Sequence, residues 1–410
     1  MIKSITSVKV SGRRVILRVG FDVPLTKNIH TEEWEVADDT RIRDILPTLR
    51  YLIDQGSRIV IMSHLGRPQG WEAEKSLWPA ALKLGELINY KTVKIENRLP
   101  DYAVPHINFL TQDITKQDYS EFSQKLLPGH ILFLENLRFY PQEQKNDEQF
   151  AKVLASYGDV YVDEAFSVAH RQEVSLVALA RLLPSYAGIS LMRELASFRK
   201  LLQDPKHPMI VLMGGVKISD KVETINNLMR FADKILIGGA LANNFLKVLG
   251  YEIGKSTFSN GTVAKQLLRN YKGKLVLPID LVVAKSTTDR PRLCKIDKVL
   301  PHEIILDIGP ETIRKFAALI KQAKTLVWNG PFGYIENPKF AFGTKSLAHI
   351  FGARSKGFAY GVVGGGETVE IINQVQVASF IDHVSTGGGA MLELLAGKQL
   401  PAIKALENSK

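Results

Sequence analysis

The sequence predicts two α/β domains of similar size, each a Rossmann-like fold with a parallel sheet, joined by a helix and separated by a cleft. Three observations lead there. Short apolar runs alternate with helical stretches, and the alternation restarts past the midpoint. The length, 410 residues, also exceeds what one hydrophobic core usually holds.

Residues 15–19, 59–62, 131–134 and 160–162 read as buried strands, because each is short, rich in β-branched or bulky residues, and bounded by polar turns. Residues 40–55 and 77–88 have helical spacing between them. A stiff linker helix is expected near 190–203, where Leu191, Leu195, Phe198, Leu201 and Leu202 share one face. Pro184 and Gly188 precede it, and Asp204-Pro205 follows. The domains are therefore drawn as 1–184 and 185–394. In the second, strands are expected at 210–213, 234–237, 275–278, 325–328, 358–363 and 379–383, and helices at 220–231 and 310–323.

Composition narrows the class. The single cysteine, Cys294, excludes an internal disulfide framework. The longest uncharged run, 235–246, falls short of the ~20 residues that span a bilayer. The first residues, MIKSITSVKVSGRR, lack the apolar core of a signal peptide, so a cytoplasmic protein is expected. Net charge is +11 and unevenly placed: residues 1–180 carry 22 Lys+Arg against 24 Asp+Glu (−2), and residues 181–410 carry 31 against 18 (+13). The basic half raises nucleic acid as a partner. Its cations are scattered, however, and no nucleic-acid motif occurs, so nucleic acid is not expected.

Four expected strands in the second half run into glycine, at 214–215, 238–239, 364–366 and 387–389. Glycine permits close approach of backbone, and free N–H groups at a helix start favour anions, so these turns suggest nucleotide phosphates. Neither a P-loop nor G-x-G-x-x-G is present. In the first half Arg41, His64, Arg67, Arg138, His170 and Arg171 all follow strand ends. Guanidinium forks match carboxylate and phosphate oxygens, so this convergence predicts a small polyanionic ligand. Lys217 and Lys221 follow Gly214-Gly215 and are placed to neutralise a phosphoryl group. Glu367 ends a glycine turn, where it either holds Mg²⁺ or complements a helix dipole.

Ten collinear segments then resemble the phosphoglycerate kinase family over nearly the whole chain: RVGFDVPL (18–25), DDTRIR (38–43), SHLGRP (63–68), ENLRF (135–139), AHR (169–171), GGVKISDK (214–221), LDIGP (306–310), WNGPFG (328–333), VVGGGET (362–368) and STGGGA (385–390). The resemblance implies reversible phosphoryl transfer between 1,3-bisphosphoglycerate and ADP, giving 3-phosphoglycerate and ATP, in a hinge-bending monomer. It places the acidic substrate on the N-terminal domain and Mg²⁺ with ADP or ATP on the C-terminal one. The C-terminal tail, about 395–410, is expected to return to the first domain.

By match, Phe21, Asp22, Arg41, His64, Leu65, Gly66, Arg67, Arg138 and Arg171 would bind the substrate. Gly215, Lys217, Lys221, Gly239, Asn329, Pro331, Glu336, Gly365, Gly366, Glu367 and Thr368 would bind the nucleotide, with Glu367 on the metal. Arg41 and Lys217 would be catalytic, and the backbone of Gly366, Gly388 and Gly389 would meet the transition state. Several positions depart from the family pattern: Gly20 stands where Asp is usual, Asp22 for Asn, Ser167 for Gly, Glu173 for His and Glu367 for Asp. Restoring Asp at 20 and Asn at 22 is expected to tighten substrate binding. Gly20 and Asp22 keep open a kinase of another small phosphorylated acid, and the basic C-terminal half keeps open a non-catalytic anion-binding or nucleic-acid-binding paralogue.

Overall fold

The computed structural model describes residues 2–100 and 104–409. Lys410, the last residue of the expected returning tail, lies outside the described residues. By internal contacts the chain forms two units of nearly equal length, Met1–Leu195 with Gln399–Lys410, and Ala196–Lys398. The division falls inside the helix Ile189–Gln203.

The N-terminal unit contains β1 (Arg14–Val19), a small antiparallel hairpin of β2 (Leu25–Lys27) and β3 (Trp34–Val36), β4 (Arg58–Met62), β5 (Lys91–Ile95), β6 (His106–Leu110), β7 (Ile131–Leu134), β8 (Val160–Glu164) and β9 (Ser185–Ala187). Seven of these form one parallel sheet in the order β5-β6-β7-β4-β1-β8-β9. β1 is buried almost throughout, as a central parallel strand must be, and it carries Arg18 with no exposure at all. The helical stretch expected over 40–55 is two helices, Thr40–Asp44 and Leu46–Asp54. Pro47 explains the break: it has no N–H to continue the ladder from the preceding turn. The last helix, Pro401–Glu407, packs within this unit, where Ala402 N–H donates to the Ala169 carbonyl at 3.1 Å.

The C-terminal unit contains β10 (Met209–Met213), β11 (Lys234–Ile237), β12 (Leu275–Val276), β13 (Asp280–Ala284), β14 (Arg292–Lys295), β15 (Ile304–Ile308), β16 (Thr325–Asn329), β17 (Tyr360–Gly364) and β18 (His383–Ser385). Six form a parallel sheet in the order β12-β11-β10-β16-β17-β18. The order reverses between β10 and β16, the place where open α/β sheets bind ligands. An antiparallel sheet β14-β13-β15, absent from the sequence reading, completes the unit.

Two expected strands shift. Residues 275–278 end as a strand at Val276, ahead of Pro278, which cannot donate to a ladder. The strand expected at 379–383 is instead His383–Ser385, preceded by the 3₁₀ turn Ala378–Phe380. The Asp382 carboxylate takes the Gly361 N–H at 2.8 Å, and parallel pairing begins one residue later, at Val362 with His383.

Candidate active site

In the N-terminal unit the expected basic residues gather at the carboxyl ends of β1, β4, β7 and β8. Asp22, just past β1, holds this edge together. Its Oδ1 accepts the Gly66 N–H at 2.8 Å, and its Oδ2 lies 4.0 Å from Arg41 Nη1. Arg41 also donates to the Asp22 carbonyl at 2.6 Å. The carboxylate at 22 is thus compensated by an arginine and used as a loop tie. At Gly20, a Cβ would come within 2.8 Å of Ser167 Oγ. Restoring Asp there alone therefore requires Ser167 to shift its side chain.

Behind this edge lies a charged network that the sequence reading did not assign. Arg18 donates to Ser175 Oγ at 2.7 Å and to the Val19 carbonyl, and it sits 3.1 Å from His64 Nδ1. A guanidinium can only donate, so His64 Nδ1 accepts and the ring proton sits on Nε2. Burial first, and then Arg18, Arg138, Arg171 and Arg41, hold His64 well below the usual histidine range. It is a neutral donor whose Nε2 is buried without a partner.

Arg138 is buried, donating to the Gly66 carbonyl at 2.7 Å and to Glu173 at 2.8 Å. Arg171 is partly exposed, and burial lowers its pKa along with the nearby Arg138. Arg67 is exposed at the rim, and His170 is partly exposed beside Arg171. Phe21 and Leu65 are buried and shape the floor, and Phe21 N–H donates to Ser63 Oγ. Glu143, fully buried, accepts from Ser175 through Oγ at 2.5 Å and N–H at 3.1 Å. Burial pushes its carboxyl up to about 7.

In the C-terminal unit a cavity of about 270 Å³ opens beside the reversal point. Gly215, Gly239, Pro331, Glu336 and Glu367 line it, as the sequence reading expects of a nucleotide site. Leu281, Leu306, Phe332 and Tyr334 supply apolar walls that the reading did not name. LDIGP, in which Leu306 stands, and WNGPFG, in which Phe332 stands, were the only hints at them.

The glycine pairs work differently from expectation. The N–H groups of Gly214, Gly215, Gly238 and Gly239 are taken by the carbonyls of Asn329, Pro331, Met213 and Phe332. These N–H groups do not face an anion, because the loops after β10, β11 and β16 interlock through them. What the glycines supply is room: a Cβ at Gly238 would lie 2.3 Å from the Phe332 ring, and one at Gly239 would lie 2.7 Å from the Pro331 carbonyl.

The helices Gly366–Gln374 and Gly389–Leu395 do keep starts without a side-chain cap, with Gly365 and Gly388 as their N-cap residues. Gly366, Gly388 and Gly389 therefore offer backbone donors. Asn329 and Thr368 are buried away from the cavity and tie the turns together. Asn329 accepts from Lys221 Nζ and donates to the Gly364 carbonyl at 3.0 Å, and Thr368 Oγ1 accepts the Gly330 N–H at 2.8 Å. Lys217 is exposed, whereas Lys221 is buried, and its burial pushes its pKa down to about 8. Glu367 is raised by burial and by Glu336, with Lys221 opposing.

One unit thus carries an arginine cluster around a neutral histidine, and the other a half-apolar cavity with lysines and helix starts beside it. No described helix is long and apolar enough to cross a membrane. The phosphoglycerate kinase family profile matches residues 5–398. A phosphoglycerate kinase of Moorella thermoacetica is 41% identical over 411 residues, covering 98% of both chains. One of Roseiflexus sp. is 41% identical over 416 residues, covering 99% of both. The solved phosphoglycerate kinase of Coxiella burnetii superposes with a TM-score of 0.83 at 34% identity, over 99% of both chains. That of Pyrococcus horikoshii superposes at 0.82 with 28% identity, over 99% of this chain and 98% of that one. Sequence, fold and side-chain chemistry agree, and the chain belongs to the phosphoglycerate kinase family of phosphoryl-transferring enzymes.

Proposed function

We propose that the chain moves a phosphoryl group reversibly between 1,3-bisphosphoglycerate and ADP, with 3-phosphoglycerate held by the N-terminal unit and the adenine nucleotide by the C-terminal unit. The observation that carries this reading is the convergence of Arg41, Arg138 and Arg171 around a neutral His64. Guanidiniums take the anionic oxygens of a small phosphorylated acid, and His64 adds an uncharged donor. On the nucleotide side, the apolar walls suit a base, Glu336 suits a ribose, and Lys221 with the helix starts suits phosphates.

A carboxylate acceptor is already ionised, so the reaction needs no general base. The residues' work is positioning and charge neutralisation. Arg41 and Lys217 would neutralise charge on the moving group, and the N–H groups of Gly366, Gly388 and Gly389 would meet its equatorial oxygens.

The donor set fits Mg²⁺ brought in with the nucleotide rather than a resident ion. No cluster of three or more His, Cys, Asp or Glu suited to a metal occurs among the described residues. Glu367 is an exposed carboxylate at the cavity, its pKa raised by burial and by Glu336 with Lys221 opposing. Glu367 would hold the ion, and phosphate oxygens and water would complete its shell. When bound, Mg²⁺ supplies charge neutralisation on the phosphates.

A coupled assay with 3-phosphoglycerate, ATP and Mg²⁺ tests the reading. Turnover is expected, and the Arg41→Ala and Lys217→Ala variants should each lose about 100-fold or more in kcat. Well-folded protein without turnover on 3-phosphoglycerate overturns the proposal.

A further inference from the structure

Glu173 is a carboxylate placed where an anion-binding site would least be expected to hold one. It is 4% exposed and lies inside the arginine cluster. Its Oε1 accepts from Arg138 Nη2 at 2.8 Å and lies 3.8 Å from Arg171 Nη1. Its Oε2 lies 3.8 Å from Arg18 Nη2 and accepts no hydrogen bond. One buried acid therefore serves three guanidiniums. It repels any anionic ligand and costs desolvation itself.

Geometry shows what it does in return. Arg138 is held at both ends of its fork, by the Gly66 carbonyl on Nη1 and by Glu173 on Nη2, so its plane is determined. Arg171 has no comparable anchor: its Nε donates to nothing, and among the described residues Glu173 is the one carboxylate within ion-pair distance of it, with Asp22 acting from farther off. Arg18 is fully committed behind them, to Ser175, Val19 and His64. Glu173 thus fixes the spacing of Arg138 and Arg171 while cancelling part of their charge.

We propose that Glu173 is a positioning residue that gives up anion affinity for substrate selectivity. With it, the cluster favours a ligand bearing two separated anionic groups over a simple oxyanion. This rests on the reading that the patch receives 3-phosphoglycerate.

Direct calorimetric binding of 3-phosphoglycerate and of sulfate, to the full chain and its variants, tests it. Glu173→Gln keeps the shape and removes the charge. Sulfate should then bind about threefold or more tighter, and 3-phosphoglycerate should gain less or weaken, so that the ratio of the two affinities moves towards sulfate by about threefold or more. Glu173→Asp keeps the charge but withdraws it by one methylene, so sulfate affinity should stay within about twofold while 3-phosphoglycerate weakens. Thermal melting checks that each variant is folded, and Glu173→Asp decides the matter alone if Glu173→Gln is not. Loss of both ligands together, as a purely structural role would give, overturns the proposal, as does no change in either. Wild-type protein that binds sulfate but not 3-phosphoglycerate overturns the functional reading, and this role with it. Wild-type binding of both, with variants that fail to separate them, overturns the role of Glu173 alone.

Discussion

Lys221 loses its water to the turn around it, and its chemistry changes accordingly. Its pKa of about 8 means that the ammonium is present below that pH and is lost as pH rises through it. Nucleotide KM should therefore climb between about pH 7.5 and 9. Lys221→Arg, charged throughout, should flatten that rise, which steady-state kinetics across pH would show. Gly20 and Ser167 make a second residue-scale prediction. Gly20→Asp alone should cost about 1 kcal/mol in urea unfolding, because its Cβ meets Ser167 Oγ, and adding Ser167→Gly should recover most of it. At this scale the sequence was partly legible. Arg138 and Arg171 announced themselves by following strand ends. Arg18 and Ser175 did not, and Glu173 showed only as a departure from the family pattern, because their partners are up to 157 residues away in sequence.

Glu164 shows how an element depends on one buried acid. It ends β8 and accepts the N–H groups of Ser190 and Leu191, both at 2.9 Å, together with the Thr48 hydroxyl. It therefore caps the helix Ile189–Gln203 from another element. Glu164→Ala should cost about 2 kcal/mol of stability, measured by urea unfolding. Burial raises this carboxyl from 4.5 to about 7. Between those values the native state keeps a proton that the unfolded chain has released, so stability falls as pH rises through that window. Glu164→Gln should reduce the slope of melting temperature against pH between about 5 and 7. The long central strands and this helix were legible from periodicity. β13, β14 and β15 were not read as strands: β14 is exposed except at Cys294 and has no apolar run, and β13 and β15, although they carry Leu281–Ala284 and Ile304–Leu306, pair antiparallel, outside the βαβ alternation.

For the whole molecule, the chain's last helix belongs to its first unit. Ala402, Ile403, Ala405 and Leu406 are buried there, and Ser409 Oγ donates to the Ser185 carbonyl at 3.3 Å. Truncation after Lys398 should destabilise the N-terminal unit by about 3 kcal/mol or more. Hydrogen exchange should show lost protection in β8 and β9 and unchanged protection in β10 and β11. The charge imbalance also acquires a place. The near-neutral half still concentrates guanidiniums at one sheet edge, balanced from behind by Glu173 and Glu143, so net charge alone concealed its anion site.

By itself the sequence determined the layered α/β class, the restart at the middle and the family, because these rest on local periodicity and on short motifs read in order. Only the tertiary structure decided what the glycines and charges do. The N–H groups of four glycines turn to neighbouring loops, His64 becomes a neutral donor, Lys221 a weakened cation and Glu173 the centre of three arginines. The physical reason is common to all of them. Burial and long-range partners set the protonation and direction of a polar group, and neither is written in its neighbours along the chain.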